Sequence, residues 1–186
     1  MDRQEFDTLR GKVRGLKDRA EIRDCLLRYV RGVDRFDWEQ AASAYHADAI
    51  DDRGAHTGTR DEYLAWLRPI LAGASGTSHS LSNMTCEIDG DTAHTEFYVI
   101  TAVWSDERKT VLMGGARYIS RFERRDGEWK MSRQEGPMDF TLLAPADAMP
   151  AAANRGKRSR EDRSYARPLD LTDEAWARYE AKTSTR

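Results

Sequence analysis

The sequence predicts an α+β domain in which helices come first and a curved, largely antiparallel sheet follows. Up to about residue 72, apolar residues recur at intervals of three and four, the period of a helix with one buried face. After residue 78, apolar and polar residues alternate, the period of a strand. Asp-Gly signals at residues 89–91 and 126–127 divide this second part into two hairpins. Helices followed by hairpins are typical of α+β folds and not of parallel α/β folds.

Three helices are predicted before the sheet. The first covers residues 19–33 and presents one apolar face, formed by Ile22, Cys25, Leu26, Tyr29, Val30 and Val33. The second is short and starts after Asp37, a favourable N-cap residue. The third starts after Thr59, with Glu62 in the capping-box position, and Pro69 is expected to end or kink it.

The strands are predicted mainly from the alternation of side chains. Residues 47–58 are interpreted as a short strand that ends in a turn, and the hairpins cover residues 78–104 and 110–136. Gly114 and Gly115 are expected to mark a bend or bulge where the sheet curves.

The character of the chain changes after residue 145. Residues 146–186 are rich in Ala, Pro and Arg and lack a period, apart from a short helix predicted at 171–182. We therefore divide the chain into a domain at residues 1–145, with its core at about 18–143, and a C-terminal arm at 146–186.

The composition fits a soluble globular protein, with 39% apolar and 33% charged residues in a chain of 186. A net charge of −2 gives no electrostatic reason to expect nucleic acid or an anionic membrane as a partner. Cys25 and Cys86 lie in apolar stretches without CxxC spacing, which favours reduced core cysteines. The charged N-terminus does not resemble a signal peptide, and no apolar run approaches the ~18 residues that span a bilayer. We therefore expect a cytoplasmic protein.

One acid interrupts the apolar face of the first helix. Asp34 lies four residues after Val30 and seven after Leu27, so it extends an apolar row. Burying an unpaired carboxylate is costly, and Asp34 therefore needs a partner from another part of the chain.

The histidines are the candidates for this partner. His46 and His56 are interpreted as loop residues, and His94 lies on the opposite face of its strand from Phe97. His79 opens a strand whose inner face would line a concave sheet closed by the first helix. The sequence therefore predicts that His79 meets Asp34.

An Asp–His pair has a specific chemistry. The carboxylate accepts one imidazole N–H, fixes the tautomer and stabilises the imidazolium, which leaves the other nitrogen free as a general base. The same pair can also be a purely structural hydrogen bond, so the pattern alone leaves both interpretations open.

Three motifs between about residues 18 and 143 resemble the SnoaL-like branch of the nuclear-transport-factor-2-like superfamily. They are Tyr29-x4-Asp34 on the first helix, His79 at the start of a long strand, and the Arg-x-Asp-Gly-x-Trp-Lys run at 124–130. The last motif is common across the superfamily and indicates the fold. The Asp–His pair resembles the dehydratase and dehydrochlorinase group, which contains scytalone dehydratase, hexachlorocyclohexane dehydrochlorinase and bile-acid 7α-dehydratase.

The resemblance implies a cone-shaped, mixed sheet wrapped around the helices and a cofactor-free lyase acting on a hydrophobic cyclic, steroid-like or aromatic molecule. By the same resemblance His79 would abstract a proton from carbon, Asp34 would orient it, and Tyr29 would bind the leaving group or a carbonyl. Relatives often add a cationic residue from the sheet, and Arg133 is the candidate here. Tyr29 is equally explained as a core aromatic residue.

Further candidates for the site have ordinary structural explanations beside the functional one. Asn83 shares the predicted face of His79 and is a candidate substrate contact or a strand-to-strand hydrogen bond. Trp66 and Trp104 are candidate pocket walls or core residues. The acids and histidines of residues 46–56 lack metal-ligand spacing and are interpreted as a turn with solvated acids, so we predict no metal site and no cofactor.

Two other functions stay open at this point: an isomerase or carbon–carbon lyase that uses the same pair, and a non-catalytic binding or assembly module. The resemblance also implies a homo-oligomer, most simply a trimer, because Phe140, Leu142 and Leu143 are expected to be exposed in a monomer. The arm would then pack across a subunit boundary or over the cavity mouth.

Overall fold

The computed structural model describes residues 2–147 and 155–183, so part of the predicted arm, residues 148–154 and 184–186, lies outside the described residues. The helices are α1 (Arg3–Arg35), α2 (Trp38–Ala42), α3 (Arg60–Ala72) and α4 (Asp173–Thr183). The strands are β1 (Tyr45–Asp52), β2 (Thr57–Thr59), β3 (Gly76–Asp89), β4 (Thr92–Ser105), β5 (Thr110–Arg125), β6 (Glu128–Glu135) and β7 (Met138–Pro145). The α+β prediction is confirmed.

Helix α1 is longer than the sequence predicts. It begins with a capping box formed by Asp2 and Glu5, and its first fifteen residues are exposed apart from Gly15. An exposed helix carries no burial period, which is why its start was not predicted. The apolar face from Ile22 onward packs into the core as expected. The helix ends at Phe36, which caps it in the left-handed conformation at φ 56°.

The other predicted helix signals are confirmed, with one exception. The Asp37 side chain accepts the backbone N–H of Gln40 at the start of α2, and Thr59 and Glu62 form the capping box of α3. Of the two alternatives predicted for Pro69, an end of α3 is excluded, since the helix continues to Ala72, and a kink stays a prediction. The predicted helix in the arm is confirmed as α4.

The strands form one mixed sheet in the order β2-β1-β6-β5-β4-β3. Only the β1–β6 pair is parallel among the described strand pairs. One edge of β5 pairs with β7 over residues 110–116 and with β6 over 119–125, so β5 has two successive partners. Gly115 lies at the transition, where a Cβ atom would be 2.1 Å from the Phe140 ring. The bend predicted at this glycine pair coincides with a register shift.

Helix α1 packs against the inner face of the sheet. Two bulges change which side chains of their strands point to this face. In β3 the register shifts between Ser82 and Thr85, and Asn83 adopts φ 48°. In the β5–β6 pair it shifts between Arg121 and Phe122, opposite Ser132. Before each bulge the side chains of the bulged strand that point inward are odd-numbered, and past it they are even-numbered.

The described part of the arm folds back on its own chain. Tyr165 donates a hydrogen bond to Asp37 at 2.9 Å, and Arg160 pairs with the same carboxylate at 3.0 Å. The guanidinium carbon of Arg31 lies 4.2 Å from the centre of the Tyr165 ring. The arm thus covers the end of α1 and the start of α2. No helix in the described ranges is long and apolar enough to cross a membrane.

A contact between α1 and α2 yields the first prediction. A Cβ atom on Gly32 would lie 2.4 Å from the backbone nitrogen of Ala41, so Gly32→Ala must push two backbones apart. We expect it to lower the free energy of unfolding by about 1–3 kcal/mol, as overpacking does. Urea unfolding checks this value.

The matched control is Gly11→Ala in the same helix, where nothing lies within 4 Å of the added Cβ. It should instead stabilise the protein by up to about 1 kcal/mol through helix propensity. Equal stability of the two variants would contradict the close contact.

Candidate active site

The structure brings together the two residues that the sequence pairs. Asp34 lies in the last turn of α1 and His79 near the start of β3, and Asp34 Oδ1 is 2.7 Å from His79 Nδ1. The backbone N–H of His79 donates to Oδ2 at 3.0 Å, and the Thr77 hydroxyl donates to Oδ1 at 3.0 Å. The side chains of Asp34 and His79 are 14% and 9% exposed. The carboxylate is therefore held by both the backbone and side chains of one strand.

This arrangement determines the protonation of the pair. Burial alone would raise the pKa of Asp34, but the hydrogen bonds and charge of His79 outweigh it and lower the pKa. An ionised carboxylate only accepts hydrogen bonds, so Nδ1 of His79 carries a proton. His79 Nε2 has no hydrogen-bond partner among residues 2–147 and 155–183. In the neutral imidazole this nitrogen has a free lone pair.

Tyrosines and one arginine form a buried cluster beside the pair. The hydroxyls of Tyr29 and Tyr63 are 2.6 Å apart, and Arg53 Nη2 donates to the Tyr29 hydroxyl at 3.3 Å. The Arg53 guanidinium carbon lies 4.5 Å from the Tyr118 ring centre. Burial raises the pKa of Tyr118, and Asp34 is among the charges that add to this effect. Tyr118 thus belongs to the cluster around Arg53 and interacts electrostatically with Asp34.

Arg53 stays charged because Asp51 neutralises it. Arg53 Nε and Nη2 donate to the two carboxylate oxygens of Asp51 at 2.6 and 3.0 Å, and the Tyr45 hydroxyl donates to Asp51 at 2.8 Å. Burial would lower the pKa of Arg53, but the surrounding tyrosines and Asp51 raise it. Asp51 is fully buried, so the interpretation of the 46–56 acids as solvated is wrong for this residue.

Sequence reasoning missed both members of this pair. One signal for it exists. Asp51 alternates with the buried Ala49 along β1, so it points inward and requires a cation. Arg53, two residues later, is the nearest candidate in sequence.

Arg133 is not the cation of the site. Its side chain is exposed and donates to the neighbouring Ser132 carbonyl, and its cross-strand partner is the exposed Arg121. The prediction assumed that Arg133 continues the alternation of Trp129 and Met131, and these two side chains do point inward. The bulge at Ser132 then reverses the alternation, so Gln134 faces the core and Arg133 faces outward.

Asn83 lies within the bulge of β3. It is exposed, and it lies in the left-handed conformation that asparagine tolerates better than other residues with side chains. It lines a cavity with Leu81 and the buried Phe97, and this lining includes neither Asp34 nor His79. The structure therefore does not bring Asn83 to the pair, and a contact with the substrate stays a prediction.

The two tryptophans lie on different sides of the pair. Trp66 stacks on His56 with ring centres 5.2 Å apart and borders Tyr63 at 6.2 Å, so it flanks the tyrosine cluster. Trp104 packs over Gly76 on the outer face of β4. It lines a cavity of about 260 Å³ that also touches Asp34 but is bounded by the arm. Trp104 therefore does not form a wall on the His79 side.

The register of the sheet identifies side chains on the inner face that the sequence did not single out. Paired residues of neighbouring strands point to the same face. The row through Thr77, two residues from His79, consists of Thr77, Val103, Leu112 and Leu143. Leu112 and Leu143 are 43% and 66% exposed, so apolar surface is open on the face that carries His79.

Residues 14–135, more than half of the chain, match the model of the SnoaL-like domain. The chain belongs to the SnoaL-like domain family. Among curated proteins, the uncharacterised protein Rv2910c of Mycobacterium tuberculosis is 28% identical over 64% of this chain and 84% of its own length.

Solved structures of the predicted group share the fold. A hexachlorocyclohexane dehydrochlorinase, LinA Type2, has a TM-score of 0.69 at 25% identity, over 75% of this chain and 99% of the other. A candidate scytalone dehydratase from Novosphingobium aromaticivorans has a TM-score of 0.64 at 21% identity, over 75% and 97% of the two chains. The predicted superfamily and group are confirmed.

The Asp51–Arg53 ion pair yields the second prediction. Removing one member leaves a buried charge without a partner, so Asp51→Ala and Arg53→Met should each lower the free energy of unfolding by about 3–5 kcal/mol. The double variant should lose much less than the sum, because neither charge is then left alone. Urea unfolding of the four proteins measures this coupling.

The control is Asp48→Ala, since Asp48 is 65% exposed in its pair with Arg125. It should change the free energy of unfolding by less than about 1 kcal/mol. Additive losses for Asp51→Ala and Arg53→Met would contradict a coupled buried pair.

Proposed function

We propose that this protein is a cofactor-independent lyase in which His79 is the general base and Asp34 orients it. The observation that carries the proposal is the state of the imidazole: Nδ1 donates to an ionised, half-buried carboxylate, while Nε2 has no partner in the described part of the chain. A purely structural histidine has no need of an unpartnered nitrogen beside open apolar surface. Similarity to a dehydrochlorinase supports elimination chemistry.

In the proposed reaction, His79 Nε2 takes a proton from the carbon atom adjacent to the one that bears the leaving group; a carbonyl next to that carbon would make the proton more acidic. The electron pair of the broken C–H bond forms a C=C bond as the leaving group departs with its own pair. Asp34 stabilises the imidazolium through the Nδ1 hydrogen bond. The proton on Nε2 then passes to the departing group or to solvent, which restores the neutral base.

The tyrosine cluster is assigned to the other end of the substrate. The Tyr29 and Tyr63 hydroxyls lie 2.6 Å apart, beside the Arg53 cation. Burial raises the pKa of Tyr29 well above its ordinary value, so its phenol remains a hydrogen-bond donor. Such donors stabilise negative charge that develops on a carbonyl or leaving-group oxygen. Tyr29 therefore keeps its predicted role, with Arg53 in the place first given to Arg133.

A hydrophobic cyclic molecule is the proposed substrate class. The inner-face row of Val103, Leu112 and Leu143 offers apolar surface, and His79 and the tyrosine cluster supply polar groups. The matched dehydrochlorinase is named for hexachlorocyclohexane, and the candidate dehydratase for scytalone. An isomerase would use the same base but return the proton to the substrate.

The third prediction tests the base. With a panel of cyclic alcohols, ketols and chlorides, mass spectrometry should detect loss of water or hydrogen chloride. His79→Gln and Asp34→Asn should lower the rate by roughly 10²–10⁴, as loss of a positioned base does. Unchanged substrate mass with an altered structure would indicate the isomerase instead.

Matched controls separate the base from other histidines and from metals. His94→Gln should retain full activity, since His94 is exposed on the outer face. Chelation by EDTA should leave activity unchanged, because the proposed step uses no metal. Near-full activity of His79→Gln would eliminate the mechanism.

We also propose that the protein is a homo-oligomer, with a trimer as the simplest case. Ile100, Met113, Phe140 and Leu142 lie on the outer face of β4, β5 and β7 in neighbouring register positions, and all four are exposed. An apolar patch of this kind is typical of a subunit interface.

The fourth prediction concerns this surface. Phe140→Asp would place a charge in the proposed interface, so light scattering at micromolar concentration should give a monomer. Leu169→Asp is the control, since Leu169 is 73% exposed in the arm, and it should leave the mass of the wild-type oligomer unchanged. A monomeric wild-type protein would refute the proposal.

A further inference from the structure

Arg158 connects the arm to the helix ends near the candidate site. Its Nη1 donates to the carbonyl oxygens of Leu71 and Ala74, at 2.9 and 2.7 Å, at the end of α3. Its guanidinium carbon lies 3.5 Å from the centre of the Phe36 ring, the residue that caps α1. These contacts fix the guanidinium against the turn that follows Asp34.

The rest of this guanidinium has no counter-ion among residues 2–147 and 155–183. Arg158 Nε and Nη2 are buried and have no hydrogen-bond partner within the described ranges. Arg158 and Asp34 line the same cavity of about 260 Å³. Burial lowers the pKa of Arg158, and the Asp34 carboxylate partly offsets this, so the two charges interact. A cation therefore lies across a small cavity from the Asp34 carboxylate.

Other charges around Asp34 have partners or belong to the site. They are Arg35, which pairs with Asp162 at 3.6 Å, Arg155, which pairs with Asp106 at 3.0 Å, His79 of β3 and Tyr118 of β5. Arg158 is thus distinguished from both other arginines of this cavity by the lack of an acidic partner of its own.

We propose that Arg158 is a positioning residue for the Asp34–His79 pair: the arm places its cation across the cavity from Asp34, where it favours the ionised carboxylate and tempers the basicity of His79. The arm lies outside the matched residues 14–135, so this contribution is an addition to the family domain. The catalytic meaning of the inference rests on the proposed function, but the electrostatic coupling itself does not.

The sign of the effect follows from the charges. A cation near the pair disfavours the imidazolium and weakens the pull of the carboxylate on its proton. Removing the cation should therefore raise the pKa of His79.

NMR titration of the histidine ring protons measures this pKa without a substrate, and with four histidines in the chain His79 is assigned by comparison with His79→Gln. Arg158→Gln removes the charge while its amide can still donate to the carbonyls of α3. Arg158→Lys restores a cation. Arg155→Gln is the matched control, since Arg155 lines the same cavity but is paired with Asp106.

We expect a raised His79 pKa in Arg158→Gln, a value near that of the wild type in Arg158→Lys, and no change in Arg155→Gln. If Arg158→Gln has a lower melting temperature but an unchanged His79 pKa, Arg158 only stabilises the fold, and the inference is overturned. If Arg158→Gln does not fold, Arg158→Met replaces it, since an unbranched side chain can still pack on Phe36 but carries no charge; a raised His79 pKa supports the inference and an unchanged one overturns it. The His79 pKa is also measured in Asp34→Asn, which tests the Asp34–His79 pair itself. These titrations need no turnover, so a failure of the inference is distinguishable from a failure of the proposed function.

Discussion

The packing of α1 depends on two of its carboxylates, which leave solvent and must be paired with groups on the sheet. Asp18, near the start of the packed part of α1, accepts hydrogen bonds from Arg124 at 2.6 Å and from the Trp129 indole at 3.0 Å. Asp34, near the end of the same helix, accepts three from Thr77 and His79. Because an unpaired buried charge is so costly, these two acids fix both the depth and the rotation of α1 against the sheet.

The first of these contacts gives a physical meaning to the motif at residues 124–130. The turn of Asp126 and Gly127 has positive φ at both residues, which aligns Arg124 and Trp129 on paired strands. Both then reach the same carboxylate oxygen of Asp18. The motif thus holds the helix in place and contributes nothing to the chemistry, which is why it indicates the fold alone.

Much of the fold could be predicted because its signals are local and periodic. Helix faces, capping boxes and Asp-Gly turns each depend on a few neighbouring residues, and the buried acid at Asp34 made a partner obligatory. The error at Arg133 has a specific cause. A bulge inserts a single residue and reverses every side chain beyond it, and the sequence around Ser132 carries no signal for this. Arg53 was missed because its role depends on a three-dimensional cluster of tyrosines from α1, α3 and β5.

The end of α1 also determines how the interior of the sheet is divided. Up to Phe36 the helix fills the inner face, and beyond it the chain turns away into α2, because the absence of a side chain at Gly32 lets the two helices touch. The inner-face row of Thr77, Val103 and Leu112 begins at this end, because Thr77 donates to Asp34 in the last turn of the helix. The length of α1 therefore determines how much of the inner face stays uncovered. A longer or shorter helix would move Asp34 and the border of the uncovered apolar surface together.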